Sequence, residues 1–161
     1  MDNGGGRAGI NVFTGKIYRT VIRPTMIYGA ESWALRKQDE QLLHRTEMKM
    51  LRRICGVTLL DKRSNDMIRR LAGVAPIVEK LREARLRWFG HVNRMDDSCV
   101  QRGMMLADVT GRRSRGRQKM RWMDNVRHDL QELKLTEDDA LDRDLWRSRI
   151  RVADPRREST A

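Results

Sequence analysis

The chain has little of what most secreted, membrane or metal-dependent domains are built from. Only two cysteines, Cys55 and Cys99, occur in 161 residues. That is too few for a disulfide framework, and it points to a reducing compartment inside the cell, nucleus or cytoplasm. No run approaches the roughly twenty consecutive apolar residues of a membrane helix. The opening MDNGGGRAGI is polar and glycine-rich, unlike a signal segment, so no membrane partner is expected. Aromatics amount to 5% of the residues, yet Trp33, Trp88, Trp122 and Trp146 offer four large anchors. No segment sustains the two-residue alternation of a half-buried strand, which leaves an all-α chain.

The familiar arrangements of catalytic residues are also missing. No Gly-rich phosphate loop follows a strand, and no Ser-His-Asp arrangement is suggested by spacing. Zinc sites bring their ligands in as tight pairs, whereas Cys55, Cys99, His44, His91 and His128 are dispersed along the chain. The acidic pair in RMDDS, Asp96–Asp97, resembles the metal-holding Asp-Asp turn of a polymerase only superficially. Arg94 stands where an aromatic belongs, the pair follows a helix instead of joining two strands, and no strand supplies a third carboxylate. A helix-terminating turn accounts for it. The chain is therefore expected to be no enzyme, with no cofactor, no metal and no small-molecule substrate.

Positive charge is what the chain has in excess. Lys and Arg number 34 against 22 Asp and Glu, a net +12 with an isoelectric point near 10.7. Such a balance draws polyanions, nucleic acid before acidic membrane. The densest stretch is GRRSRGRQKMRW, residues 111–122, which carries Arg112, Arg113, Arg115, Arg117, Lys119 and Arg121. Guanidinium forks match phosphate oxygens, and Gly111 and Gly116 let the backbone approach closely. Arg115-Gly116-Arg117 resembles an AT-hook core, but Gln118 stands where that motif wants proline, so backbone contact is expected and minor-groove reading is not. A solvated charge run or a nuclear address is the bland alternative.

Helical periodicity organises the rest. Residues 1–14 are expected to be disordered. Ile17, Val21 and Ile22 share a face before Pro24 ends or kinks their helix and opens a short one with Met26 and Ile27. Leu43, Met50, Leu51 and Ile54 form the stripe of the next helix, which Gly56 caps. Ser64 starts a shorter helix with Met67, Ile68 and Leu71 inward, and Gly73 ends it. The strongest pattern begins at Pro76, with Ile77, Leu81, Ala84, Trp88, Val92 and Met95 inward. Glu79, Lys80, Arg82, Glu83, Arg85 and Arg87 form its solvated face. Trp122, Val126, Leu130 and Leu133 mark another helix, Thr136 with Asp139 a capping box, and Trp146 with Ile150 a last helix. The expected architecture is short helices in two small bundles joined by a basic, Gly-containing linker: a helical domain over 15–97, the linker over 98–121, a helical pair over 122–155 and a frayed tail over 156–161.

Five blocks in order, KIYRTVIRPTMIYGAESWAL, EMKMLRRICGV, VAPIVEKLREARLRWFGHVNRMDD, GRRSRGRQKMRWMDNVRHDL and WRSRIRVADP, resemble the C-terminal end of the polyprotein of non-LTR (LINE-type) retrotransposons, downstream of the reverse-transcriptase palm. The resemblance covers residues 14–155. It implies a thumb-like domain over 15–97 followed by a basic helical extension, with the palm and endonuclease belonging upstream, so that this portion is non-catalytic. It implies RNA or DNA as partner, held by the backbone through Arg112, Arg113, Arg115, Arg117, Lys119 and Arg121. Arg82, Arg85 and Arg87 are candidates for a thumb-type grip on the duplex. The alternative is a structural remnant that self-associates through an apolar face left without its palm, to which Leu43, Met50, Ile54 and Trp88 would contribute.

Overall fold

The computed structural model describes residues 15–96, 98–106 and 121–155, and every regular element among them is helical. A π-helical turn, Tyr18–Ile22, runs into α1 (Arg23–Met26). A 3₁₀ turn, Ala30–Ser32, precedes α2 (Lys37–Cys55), α3 (Asn65–Ala72), α4 (Ile77–Asn93) and α5 (Val100–Leu106). Then come α6 (Trp122–Leu133), a 3₁₀ turn at Asp138–Ala140, and α7 (Arg143–Ile150). The chain is all-α, as its periodicity predicts.

These helices form two compact units, one of residues up to Tyr28, Lys37–Leu81 and residues from Val152, the other of Gly29–Arg36 and Arg82–Arg151. The division falls between Leu81 and Arg82 inside α4, not at the polar stretch over 98–121 where the loss of periodicity suggests it. Apolar positions continue across that point, with Ile77 and Leu81 buried on one side and Leu86 and Phe89 on the other. A periodicity argument has nothing to register there.

In the first unit, Pro24 shapes the entry. Proline offers no N–H to the helix ladder, and the turn before it widens, with the Arg23 N–H reaching back to the Tyr18 carbonyl. The wider turn shifts the inward face to Tyr18, Ile22 and Met26 and leaves Val21 58% exposed, contrary to the pattern of a regular helix. Helix α2 carries Asp39 and Glu40 in its first turn and Arg52 and Arg53 in its last, the polarity its dipole favours. Gly56 (φ 63°) ends it in a Schellman turn, the Val57 N–H donating to the Arg52 carbonyl at 2.9 Å. The Ser64 hydroxyl accepts from the Met67 N–H at 3.2 Å to start α3, and Gly73 (φ 64°) ends that helix in the same way. Ile68 and Ala72 are buried, whereas Met67, expected inward, is exposed.

Tyr18, Met48, Leu51, Ile68, Ala72 and Val74 form the core of this unit. A carboxylate stands among them. Glu47 is fully buried; its Oε1 accepts from the Tyr18 hydroxyl at 3.2 Å and the Ile77 N–H at 3.0 Å, and its Oε2 from Arg69 Nε and Nη2 at 3.3 and 3.2 Å. Burial pushes the Glu47 carboxyl up against the opposing pull of Arg69, and burial together with Glu47 pushes the Tyr18 phenol up. A second clamp joins distant segments. Asp154 accepts two bonds from Arg23, at 2.7 and 2.9 Å, and one from the Ala75 N–H at 2.8 Å. The sequence pattern groups Asp154 with the C-terminal helical pair, yet residues from Val152 belong to the first unit.

In the second unit Leu86, Phe89, Val126, Leu130, Leu135, Ala140, Trp146 and Ile150 form the core. The inward stripe of α4 holds at Ile77, Leu81 and Val92, as its spacing suggests, but is rotated between Leu81 and Val92: Leu86 and Phe89 are fully buried, while Trp88 is 36% exposed. Trp146 supplies the reason. Its Nε1 donates to the Leu86 carbonyl at 3.1 Å, and its ring packs tilted against Phe89 with centroids 6.1 Å apart. A Cβ on Gly90 would lie 2.4 Å from that nitrogen, so only glycine lets the indole reach the α4 backbone. Trp122 Nε1 donates to the Glu31 carbonyl at 2.6 Å and Asn125 Nδ2 to the Leu35 carbonyl at 3.0 Å, which ties residues 29–36 into this unit. Trp33 in that segment is no anchor, being 67% exposed. The Thr136–Asp139 box is present but closes the short 3₁₀ turn, and Asp142 caps α7 by accepting from the Asp144 and Leu145 N–H groups, each at 3.0 Å.

Two outcomes test these contacts. Gly90→Ala is expected to cost about 1–3 kcal/mol through overpacking against Trp146, read by urea unfolding with tryptophan fluorescence; an unchanged midpoint would refute the close approach. For Asp154, burial opposes ionisation, but the Arg23 guanidinium and the Ala75 N–H outweigh it and hold the carboxyl below its usual range. Its native state therefore binds the proton less readily than its unfolded state. The associated stability is complete above the unfolded value of about 3.9 and is lost as pH falls through the lower native value. Asp154→Asn should destabilise the protein by about 2–4 kcal/mol near neutrality, less than for a fully buried pair because Asp154 is partly exposed. The gap between variant and wild type should narrow in acid.

Candidate nucleic-acid interface

Helix α7 buries Trp146 and Ile150 and turns the positions between them to solvent. Arg143, Arg147 and Arg151 follow one another at four-residue intervals, the spacing that stacks side chains along one helical face. All three are exposed. Packing of Trp146 on α4 brings this row beside Arg87 of that helix and Arg94 in the turn after it. A groove results, lined by Glu83, Arg87, Arg147, Ser148, Ile150 and Arg151.

Like charges meet along it. Burial first, and then the positive charges of Arg143 and Arg147, lower the Arg94 guanidinium below its usual value. The Arg94 Nη1 also donates to the Ala140 carbonyl, which fixes the side chain in place. Glu83 is the acidic group in the lining and is engaged by Arg87 in an ion pair at 2.5 Å. Three arginines, Arg87, Arg147 and Arg151, thus line the groove, with Arg94 and Arg143 close enough to Arg147 to add to a positive field that a polyanion would relieve. The sequence reading does not single out the α7 row, because Trp146 and Ile150 define that helix by its buried face. The four-residue interval was the available signal.

The residues singled out from sequence fare unevenly. Arg112, Arg113, Arg115, Arg117 and Lys119 lie outside the described residues. Arg121 is described: its N–H donates to Asp124 Oδ2 at 2.8 Å where α6 begins. Arg87 is exposed and borders the groove. Arg82 pairs with Glu132 at 2.5 Å. Arg85, expected on the solvated face with Glu83, is 3% exposed and bonds Asp129 at 2.6 Å. The rotated stripe of α4 carries Arg85 inward, so its charge is spent within the unit and is not presented to solvent.

His128, Asp129 and Glu132 bring one ligand atom each within 4.8 Å of one another. The Arg85 guanidinium already claims Asp129, however, and Arg82 claims Glu132, which argues against a metal there. Asp96 lies exposed in the turn after α4, and Asp97 falls outside the described residues. Of the residues named for an unpartnered apolar face, Met50 and Ile54 pack against the core of the first unit and Leu43 is half-buried, leaving Trp88 the exposed one. Among the described residues no helix is long and apolar enough to cross a membrane.

The chain is similar to a protein of Caenorhabditis elegans whose name describes it as transposon-derived, with 28% identity over 119 residues, 71% of this chain and 43% of the relative. It spans less than half the length of that curated relative. No family model and no solved structure matches.

Arg85 and the groove arginines lead to opposite expectations. Arg85→Ala would strand the Asp129 carboxylate, which burial already pushes up against the pull of Arg85. A loss of about 3–5 kcal/mol of stability is expected. Arg147→Ala, at an exposed position, should change stability by no more than about 0.5 kcal/mol. Chemical unfolding of the two variants side by side checks this, and equal losses would contradict it.

Proposed function

We propose that this chain is a non-catalytic, phosphate-binding portion of a non-LTR retrotransposon reverse transcriptase, acting on RNA or DNA through backbone contacts. Three observations support the reading: the five ordered sequence blocks, the similarity to a transposon-derived protein, and the arginine-lined groove between α4 and α7. The groove carries most weight, because it turns a global charge excess into a local surface. Arginines along two helices can follow a phosphate backbone while making no demand on base sequence. The Arg112–Arg121 run would extend that contact beyond the described residues.

Retrotransposition needs a polymerase and an endonuclease, and this portion is assigned neither role. It would hold template or target while another part performs the chemistry. Asp96 and Asp97 are not proposed as metal ligands.

Titration of an RNA–DNA hybrid and of duplex DNA with the purified chain tests the reading. Binding in the range of about 10⁻⁶–10⁻⁴ M at physiological salt is expected, typical of backbone recognition. Replacing Arg143, Arg147 and Arg151 together by alanine should lower the slope of log affinity against log salt by about 2–3, close to one unit for each phosphate no longer neutralised. Absence of binding in dilute buffer would overturn the proposal, as would primer extension by the purified chain.

A further inference from the structure

The first unit holds a groove of another kind. It measures roughly 660 Å³ and runs beside the C-terminal half of α2, closed on its far side by the segment that follows Gly56. Its floor is apolar, with Met48 and Val57 lining it and Leu59 at its rim, and its one aromatic ring is the half-buried imidazole of His44. Along its edge stand Arg45, Lys49 and Arg53, again four residues apart on one helical face, and no carboxylate is among the lining residues.

The turn beside this groove is closed by hydrogen bonds and presents apolar side chains outward. The Thr58 N–H and hydroxyl both donate to Asp61 Oδ2, at 2.6 and 2.9 Å, and the Lys62 N–H donates to the Leu59 carbonyl at 3.2 Å. Held on that turn, Leu59 is 79% exposed and Leu60 90% exposed. Two adjacent leucines kept in water by a hydrogen-bonded turn are unfavourable for an isolated domain and favourable for one that docks a partner.

We infer that this groove is a docking site for an acidic amphipathic helix of another protein. The floor takes aliphatic side chains spaced at one helical turn, Leu59 packs against them, and Arg45, Lys49 and Arg53 meet carboxylates on the flank of the incoming helix. Charge complementarity fixes the sign of the partner, and the apolar floor fixes its class. Nucleic acid would match the cations, but bases stack on open ring faces, and this lining offers no Phe, Tyr or Trp; its one ring, His44, is half-buried and accepts at Nδ1 from Arg69 at 2.9 Å. From His44 to Gly56 the α2 edge extends for about 18 Å, enough for roughly three turns of a partner helix.

The probe is a labelled synthetic helix of about sixteen residues with leucines every third or fourth position and glutamates on both flanks. A scrambled peptide of the same composition and a single-stranded RNA of about sixteen nucleotides serve as competitors in class. Each is titrated against the full chain by fluorescence anisotropy at about 150 mM salt, where long-range attraction is screened. The amphipathic peptide should bind at least tenfold tighter than its scramble. Leu59→Asp, and separately Lys49→Glu with Arg53→Glu, should each weaken it at least tenfold without changing the circular dichroism. RNA affinity should not respond to Leu59→Asp, and the triple arginine variant of α7 should bind the peptide normally, so that failure here and failure of the phosphate-binding reading are told apart. Equal binding of the scramble would overturn the proposal, as would indifference to Leu59→Asp. So would RNA affinity falling with Leu59→Asp, or a dimer that this substitution disperses, since the groove would then belong to nucleic acid or to a second copy. Should Leu59→Asp fail to fold, the exposed double charge reversal decides between the same outcomes.

Discussion

Trp146 reaches the backbone of α4 because residue 90 has no side chain. One hydrogen bond from the indole to the Leu86 carbonyl then fixes both the depth and the rotation of α7 against α4. Much of the second unit follows from that contact. With Trp146 and Ile150 committed inward, Arg143, Arg147 and Arg151 have no direction left but outward, and they come to lie beside Arg87 and Arg94. A basic groove of this kind is costly for the isolated chain, since like charges are brought together by apolar packing. Burial of a large aromatic side chain, of the order of 2–3 kcal/mol, outweighs repulsion between exposed cations that salt screens. The charge pattern on the surface is thus a consequence of the core beneath it.

The first unit is organised by charge as well as by apolar contact. Glu47 lies among aliphatic side chains and is held by four donors, from Tyr18, Arg69 and the Ile77 N–H. A carboxylate in such a place contributes little net stability, because its desolvation offsets most of what its partners supply. It does contribute geometry: a residue on α2 meets the entry turn, α3 and the first N–H of α4 at fixed distances. The Arg23–Asp154 pair does the same for the ends of the unit, joining residues 131 positions apart.

Local features of this fold were legible in the sequence, and relations between distant segments were not. Gly56, Gly73 and Ser64 act as helix boundaries because capping is a matter of a few adjacent residues, and the Thr136–Asp139 box forms for the same reason. What the box could not reveal is that Asp142 would start the last helix instead. The rotation of α4 was invisible for a different reason. Its apolar residues are dense enough to define two overlapping stripes, and Trp146, more than fifty positions away, selects the one containing Leu86 and Phe89. That choice draws Arg85 inward to Asp129 and leaves Trp88 partly in water. The candidate phosphate site divides likewise. An excess of arginine could be counted, but which arginines are internal clamps and which face solvent depends on partners that only the folded chain brings together.

Internal clamps do not diminish the charge available for binding. Each buried arginine in Arg23–Asp154, Arg69–Glu47 and Arg85–Asp129 takes one carboxylate with it, so the net +12 is carried by the remainder of the chain. Two grooves then present rows of cations at the same four-residue interval, one on α7 and one on α2. Coulombic attraction alone cannot distinguish their partners. The surfaces beneath the cations can. Ser148 and Ile150 give the α7 groove a mixed bed, on which the proposed phosphate backbone could keep its water, whereas Met48 and Val57, with Leu59 at the rim, give the α2 groove a bed that water wets poorly. An anion without apolar groups gains little from the second bed, and an amphipathic one gains contact area there that it cannot find in the first. For two basic clefts proposed to bind different anions, the choice of partner would therefore reside in their uncharged residues.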